Sequence, residues 1–265
     1  AENLNDLING KITVNYDKEN KDELTKLFFL INDTYHDEIE NIRSKMINKR
    51  KPTEIIVFTD GYTFSSAAFF VKYLQNNGGG IVVGYSGNPN DKKTVFDSGQ
   101  SPSPLFNSKI LEIFSNSYAN LVKEYNIELE MPGIQSFLTN DSKTPLEYLV
   151  TPVDEKVDIY EPFDELSYDK FISASQEILK KYDKKCSKNN KNLIKIIEDC
   201  KFENSYTHGG YRCGENEEWT TECVASYCDE GYILDENKKC VVDVCSDKIK
   251  PDINPDRKEN KVLTY

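Results

Sequence analysis

The sequence predicts an α/β domain followed by a small disulfide-rich module. Residues 55–87 have, in order, an apolar strand, a tight turn, a helix, three glycines and a second apolar strand, which is typical of a β-α-β unit. All seven cysteines follow residue 185, so the composition changes there. We therefore expect an α/β domain over 1–185, a cysteine module over 186–248 and a polar tail over 249–265.

The charge and hydropathy of the chain restrict its partners. The 265 residues carry a formal net charge of −12. Nucleic acids and anionic membranes bind basic surfaces, so neither is an expected partner. No apolar run reaches the roughly 18 residues that a membrane-spanning helix needs. Because the sequence starts with Ala1, we expect it to be a processed or excised piece of a longer chain.

The first half of the domain is predicted from apolar spacing and glycines. Residues 24–46 place apolar side chains three and four positions apart, which predicts one or two amphipathic helices. The apolar run 54–59 predicts a strand, and 66–77 predicts the helix that follows it. The glycines at 78–80 end that helix, because glycine readily adopts the left-handed cap conformation, and 81–85 forms the next strand.

The second half of the domain has two further predicted helices. Residues 108–124 present one apolar face, and so do residues 168–182, which close the domain. Between them, 145–160 is predicted to form strand segments interrupted by Pro152. The predicted elements together suit a layered α/β domain.

The cysteine spacing favours disulfide bonds over a zinc site. Gly, Tyr and one Trp lie between closely spaced cysteines, and the Cys-x-x-Gly-Tyr element loosely resembles sushi and epidermal-growth-factor-like modules. Zinc ribbons need cysteine pairs separated by two residues, and no pair in the sequence is that close. The odd number leaves one thiol free, paired with another chain or separated from its partner. The disulfide candidates are Cys186, Cys200, Cys213, Cys223, Cys228, Cys240 and Cys245.

The predicted disulfides also indicate an oxidising compartment, hence a secreted or cell-surface protein. Asn32 and Asn140 begin Asn-x-Ser/Thr sequons, which suit such a protein. His208, within the cysteine module, is expected to be a surface residue rather than a metal ligand. No metal and no cofactor is predicted, and the sequence leaves the oligomeric state open.

Two interpretations of the turn before the predicted helix involve no nucleophile. In the first, Thr63, Ser65 or Ser66 caps the helix and has no chemistry. In the second, "IIVFTDG" resembles the Thr-Asp-Gly strand end of von Willebrand factor A domains, where the aspartate helps to hold a divalent cation for adhesion. Asp60 takes that place, although the Asp-x-Ser-x-Ser cluster that completes such a site is absent from residues 1–54. The protein is then a non-catalytic extracellular binding or adhesion protein, which binds through such a metal-dependent site or through its cysteine-rich module.

The third interpretation makes Ser65 a nucleophile. Residues 63–68, Thr-Phe-Ser-Ser-Ala-Ala, resemble the nucleophile turn of C-terminal processing (tail-specific) serine peptidases, and the glycine and Val-Gly strand end that follow fall at the family's distances. The resemblance implies a crotonase-like or ClpP-like core, of which 1–185 is the C-terminal part, and hydrolysis of peptide or protein substrates. A helix N-terminus is the positive end of the helix dipole, and the Ser66 backbone amide can donate to an oxyanion there.

The sequence departs from the classical branch of that family at two positions. Asn90 stands where the family has its lysine base, and Lys92 and Lys93 are displaced from that position. Ala68 replaces the acidic residue that usually follows the serine. A Ser–Lys dyad is therefore not the machinery that we expect.

The tricorn branch, which includes the chlamydial protease-like activity factor, uses His, Ser and Glu in that chain order. "PLEYLVTPVDEKVDIY" resembles its glutamate segment and puts Glu147 in the place of the acid. The alternatives for the acid are Glu124, Glu128 and Glu130. His36 precedes Ser65, but its acidic and polar neighbours predict a surface residue, so the histidine and the Gly-rich oxyanion loop are expected upstream of Ala1. Without that base we expect this chain to be inactive, because an unassisted serine hydroxyl is a weak nucleophile.

Overall fold

The structure is a computed structural model of the chain. It describes residues 11–15, 21–25, 28–30, 38, 41–42, 45, 50–103, 105–107, 120, 123–126, 130–132, 135–138, 144–205, 208–226, 228, 232–235, 237–242 and 262–264. Contacts divide the chain into two compact units. The first comprises residues 1–49, 230–232 and 242–265, and the second comprises residues 50–229 and 233–241.

Short strands and two longer helices make up most of the regular structure of the described residues. The strands are β1 (Lys11–Asn15), β2 (Lys21–Thr25), β3 (Phe28–Leu30), β4 (Ile56–Thr59), β5 (Ile81–Gly84), β6 (Leu105–Asn107), β7 (Glu130–Pro132), β8 (Glu155–Lys156), β9 (Ile194–Ile196), β10 (Gly210–Arg212), β11 (Tyr232–Leu234), β12 (Cys240–Val242) and β13 (Val262–Thr264). The helices whose bounds lie within the described residues are α1 (Ser65–Asn76) and α2 (Tyr168–Tyr182), with 3-10 turns at Pro52–Glu54 and Leu146–Tyr148.

The described residues of the first unit form two antiparallel strand pairs, β1 with β2 and β3 with β13. The prediction of helix over 24–46 is therefore wrong at its start, where residues 24–25 and 28–30 are strand. A short apolar run such as Phe-Phe-Leu fits a strand as well as a helix, and pairing with another segment decides between them. The described residues 38, 41, 42 and 45 are helical, as the spacing predicts.

The β-α-β prediction is confirmed in the second unit. Strands β4 and β5 pair in parallel from Ile56 opposite Ile81 to Thr59 opposite Gly84, and α1 connects them. Strand β8 adds a third parallel strand beside β5. The order β4-β5-β8 therefore gives a small parallel sheet.

Helices cover both faces of this sheet. On one face, Val82 packs with Val71 of α1. On the other face, Ile81 and Val83 pack with Ile178 of α2. Side chains alternate between the two faces of a strand, so the continuous apolar character of β5 reflects burial on both sides. The arrangement is a three-layer α/β fold within this unit.

Gly78 ends α1, as predicted. Its φ is 65°, in the left-handed region that side chains rarely adopt. A Cβ atom at this position would lie 2.1 Å from the backbone oxygen of Asn192. Conformation and space therefore both require glycine here.

The segment 145–160 differs from its prediction. It begins with the 3-10 turn Leu146–Tyr148, and only Glu155–Lys156 forms a strand. Proline at 152 removes a backbone donor, so regular pairing with β5 starts only after it. The closing helix at 168–182 is confirmed as α2, whereas most of the predicted helix at 108–124 lies outside the described residues; residues 120, 123 and 124 are helical.

Three disulfide bonds confirm the disulfide prediction for six cysteines. The pairs are Cys186–Cys213, Cys200–Cys223 and Cys228–Cys240. Cys245 lies outside the described residues. No described helix is long and apolar enough to cross a membrane.

The cysteine-rich segment packs on the α/β layers. The side chain of Leu193 is fully buried in the cluster that contains Ile178 and Tyr182. The indole nitrogen of Trp219 donates to the carbonyl oxygen of Tyr182 at 2.8 Å. Up to residue 229 this segment belongs to the same compact unit as the sheet. The domain boundary that the sequence predicts between residues 185 and 186 stays a prediction.

Candidate functional site

A tight turn connects β4 to α1, and hydrogen bonds from its own side chains stabilise its conformation. The Asp60 carboxylate oxygen Oδ1 accepts the backbone N–H of Tyr62 at 2.9 Å and the hydroxyl of Thr63 at 3.3 Å. The hydroxyls of Thr59 and Thr63 lie 3.0 Å apart. Gly61 has a φ of 80°, which suits glycine. The turn therefore holds a fixed path from the carboxyl end of the sheet into the helix.

Ser65 begins α1 with a φ of 57°. Ser65 is one of six described non-glycine residues with a positive φ, a conformation that is uncommon for such residues and that often marks functional sites. The N-cap position is occupied by Phe64, and no described side chain makes a capping hydrogen bond to the helix. The capping interpretation of Thr63, Ser65 and Ser66 is therefore wrong. A strained serine at a strand-to-helix turn is the geometry of a nucleophile elbow.

The conformation of Ser65 is stabilised by a segment from elsewhere in the chain. The Ser65 amide donates to the carbonyl oxygen of Ser101 at 2.7 Å. The Gln100 amide donates to the carbonyl oxygen of Thr63, also at 2.7 Å. Ser65 is half-buried, and no residue in the described part of the chain hydrogen-bonds its hydroxyl. The hydroxyl is therefore not committed to a structural bond there.

The first turn of α1 offers backbone donors next to that hydroxyl. Along the start of α1, Ala68 is the first residue whose amide donates to a carbonyl oxygen of the helix start, that of Phe64. The amides of Ser66 and Ala67 have no acceptor among the described residues, as expected at a helix N-terminus. Because the Ser65 amide is already engaged by Ser101, the donor available to an oxyanion is the next one, that of Ser66.

Glu147 lies in the 3-10 turn after Pro145 and binds two serines. Its carboxylate accepts the hydroxyl of Ser103 and, at 3.0 Å, the backbone N–H of Ser136. Ser103 is two residues beyond Ser101, so Glu147 fixes the continuation of the segment that contacts Ser65. Its role as the acid that orients a histidine stays a prediction.

The other predicted candidates do not contact Ser65 through any hydrogen bond that the described residues make. Glu124, Glu130, Lys92, Lys93 and His208 are exposed. Glu128, His36, Asn32 and Asn140 lie outside the described residues. Among the described residues, hydrogen bonding to Ser65 therefore identifies no general base.

Asp60 has its carboxylate at the carboxyl end of β4, as the adhesion interpretation requires. Its oxygen Oδ1 accepts a hydrogen bond within the turn. Burial, which is the larger cause, and the nearby Asp60 charge both raise the pKa of the Tyr85 hydroxyl. Within the described ranges, no group of three or more His, Cys, Asp or Glu residues could hold a metal ion.

Two residues that form an ion pair on the buried face of α1 were not singled out from the sequence, Lys72 and Asp97. Lys72 lies on the buried face of α1, and its ammonium group pairs with the Asp97 carboxylate at 3.1 Å. The sequence did contain a signal for Lys72. It lies four positions after Ala68, on the apolar side of the predicted helix, where a charged residue is unexpected.

The arrangement can serve acyl transfer. It combines a strained serine, open amides at a helix N-terminus and a position outside the carboxyl ends of parallel strands, where ligands bind in open α/β sheets. A base within hydrogen-bond reach of the serine is the further requirement. No protein-family model, no curated protein and no solved structure matches this chain.

Proposed function

We propose that this chain is part of a secreted serine peptidase of the C-terminal processing type, with Ser65 as its nucleophile. The observation that carries the proposal is the φ of 57° at Ser65, at the point where β4 turns into α1. The resemblance of residues 63–68 to the nucleophile turn of that family supports it, and so does the parallel β-α-β unit around the turn. The crotonase-like core is part of the same proposal.

In the proposed reaction, an imidazole accepts the hydroxyl proton of Ser65 while Oγ bonds to the carbonyl carbon of a peptide. The carbonyl oxygen becomes an oxyanion, which the Ser66 amide stabilises as a hydrogen-bond donor. Collapse of this intermediate breaks the C–N bond, and the imidazolium returns the proton to the departing amine. A water molecule then hydrolyses the acyl ester and regenerates the serine.

The remaining roles follow from the family resemblance. The imidazole precedes Ser65 in the chain, and Glu147 orients it. Glu147 accepts bonds from Ser103 and Ser136, which hold its carboxylate in one place. The disulfide bonds are compatible with an extracellular location, so we propose that the peptidase acts outside the cell.

The proposal is tested by peptide hydrolysis with the natural full-length protein, purified with its disulfides intact. Replacing Ser65 by Ala removes the nucleophile, and we expect the rate of hydrolysis to fall by at least a thousandfold. Ser175→Ala is the matched control, because Ser175 is another half-buried helix serine and its hydroxyl only donates to the Phe171 carbonyl. Unchanged hydrolysis in folded Ser65→Ala protein contradicts the proposal.

A further inference from the structure

Lys72 is a buried charge on the helix that begins with Ser65. Its side chain is 2% exposed. Its ammonium group donates to the Leu149 carbonyl at 2.6 Å and lies 3.1 Å from the nearer oxygen of the Asp97 carboxylate. Burying an ammonium group is costly unless it is paired and hydrogen-bonded, so these contacts define where Lys72 can lie.

Asp97 connects Lys72 of α1 to the chain at Thr151. Its Oδ1 accepts the backbone N–H of Thr151 at 3.1 Å, and the next residue, Ser98, donates its own N–H to the Thr151 carbonyl at 2.8 Å. The carboxylate of Asp97 is therefore bonded on one side to α1 and on the other to residue 151. Residues 97–101, which we call the Asp97 segment, start from this fixed point.

The Asp97 segment then runs directly to Ser65. The Thr59 hydroxyl donates to the Ser98 carbonyl at 2.9 Å. At Gly99 the segment approaches the helix so closely that a Cβ atom would lie 3.0 Å from the Cβ atom of Ala68. Two residues later, the Ser101 carbonyl accepts the Ser65 amide at 2.7 Å. The ion pair and the strained serine are thus the two ends of one continuous contact between this segment and α1.

Lys72 is too far along the helix to act as the base itself. It follows Ser65 by seven positions, which is about 10 Å along a helix axis at about 1.5 Å per residue. Its donors are also directed to Asp97 and Leu149. Any effect of Lys72 on Ser65 must therefore pass through the Asp97 segment.

We propose that Lys72 is a positioning residue for Ser65. The Lys72–Asp97 ion pair fixes the Asp97 segment against α1, the Ser101 carbonyl then holds the Ser65 amide, and this bond keeps Ser65 in the left-handed conformation. The importance of this conformation for catalysis rests on the proposed function, whereas the conformational effect does not depend on it.

The test is hydrogen–deuterium exchange of the Ser65 amide, measured at single-residue resolution by mass spectrometry on the full chain with its disulfides intact. Lys72→Met removes the charge that binds Asp97. Asp97→Asn keeps the size of the side chain and tests the same ion pair from its partly exposed partner, should Lys72→Met not fold. We expect either variant to raise the exchange rate of the Ser65 amide at least tenfold.

Gln75→Met is the matched control. Gln75 is as buried as Lys72 on the same helix, but its amide nitrogen donates to Pro152 and Asp154 rather than to the Asp97 segment. Pro152 itself pairs with Asp97, so loss of Gln75 disturbs the same neighbourhood but leaves the Lys72–Asp97 ion pair in place. The Ser65 amide should therefore exchange at the wild-type rate under conditions where the variant stays folded. Equal acceleration in Gln75→Met, or wild-type exchange in a folded Lys72→Met or Asp97→Asn protein, overturns the proposal.

The two proposals fail separately. If the natural full-length protein hydrolyses no peptide while the exchange result is as expected, the proposed function is wrong and the positioning role of Lys72 stands. If hydrolysis is present, Lys72→Met should also lower kcat at least tenfold more than it changes KM, because it disturbs the nucleophile rather than the substrate contacts. A kcat and KM equal to those of the wild type contradict the positioning role.

Discussion

Asp154 gives the unit a pH-dependent stability that can be calculated from its surroundings. The residue precedes β8 and is 8% exposed. Its carboxylate accepts the Val82 amide at 2.8 Å and the side-chain amides of Asn190 at 3.0 Å and Gln75 at 3.2 Å. Burial nevertheless outweighs these bonds and raises the pKa of Asp154 from 3.8 to about 7.

The sign follows from comparing the folded and unfolded states. Between pH 3.8 and about 7 the folded protein holds a proton on Asp154 that the unfolded chain has lost, so the free energy of unfolding decreases as the pH rises. The difference of about three pKa units corresponds to about 4 kcal/mol, at about 1.4 kcal/mol per unit. This contribution is fully present below pH 3.8 and is lost above about pH 7.

The assay compares urea unfolding of the wild type and of Asp154→Asn at several pH values. Asparagine stays neutral, so the variant lacks this titration, and its loss of one acceptor for Gln75 adds an offset that does not depend on pH. Other carboxyl groups titrate in both proteins and cancel in the difference. We expect the stability of the wild type relative to the variant to fall by about 4 kcal/mol between pH 4 and pH 8. A difference that stays constant over this range contradicts a raised pKa of Asp154 in the folded protein.

Three further predictions concern the glycine, the disulfides and the turn. Gly78→Ala should lower the free energy of unfolding by about 2 kcal/mol or more, since the new Cβ atom would lie 2.1 Å from the Asn192 oxygen; equal stability in urea unfolding contradicts this. Replacing Cys200 and Cys223 together by Ala opens a disulfide of sequence separation 23 and should cost about 3 kcal/mol, which thermal or urea unfolding measures; a loss below about 1 kcal/mol would show that the cross-link contributes little. Millimolar Ca²⁺ should leave the Tm unchanged both in the wild type and in Asp60→Asn, and a rise in the wild type that the variant lacks would favour the adhesion interpretation.

The β-α-β unit could be predicted because its signals are local. Two continuous apolar runs flank a helix with one apolar stripe, and glycine at position 78 meets a conformational and steric requirement at the end of that helix. The disulfide-rich segment could be predicted from cysteine spacing alone. The pairing within it could not, because spacing does not determine which cysteines meet.

Features that depend on distant contacts were not predictable. The conformation of Ser65 is stabilised by the Ser101 carbonyl, and the Lys72–Asp97 pair joins residues that are 25 positions apart. The strand at 28–30 depends on pairing with 262–264, a segment at the other end of the chain. In each case the local sequence allowed more than one structure, and a contact from elsewhere in the chain selected one of them.

The proposed peptidase function requires a reactive Ser65 hydroxyl, and covalent labelling tests this directly. The natural full-length protein is incubated with a fluorophosphonate, digested and examined by tandem mass spectrometry for the residue that carries the phosphonyl group. We predict one adduct, on Ser65, that is absent from heat-denatured protein. An adduct on another serine, or none in protein that is shown to be folded, contradicts the account.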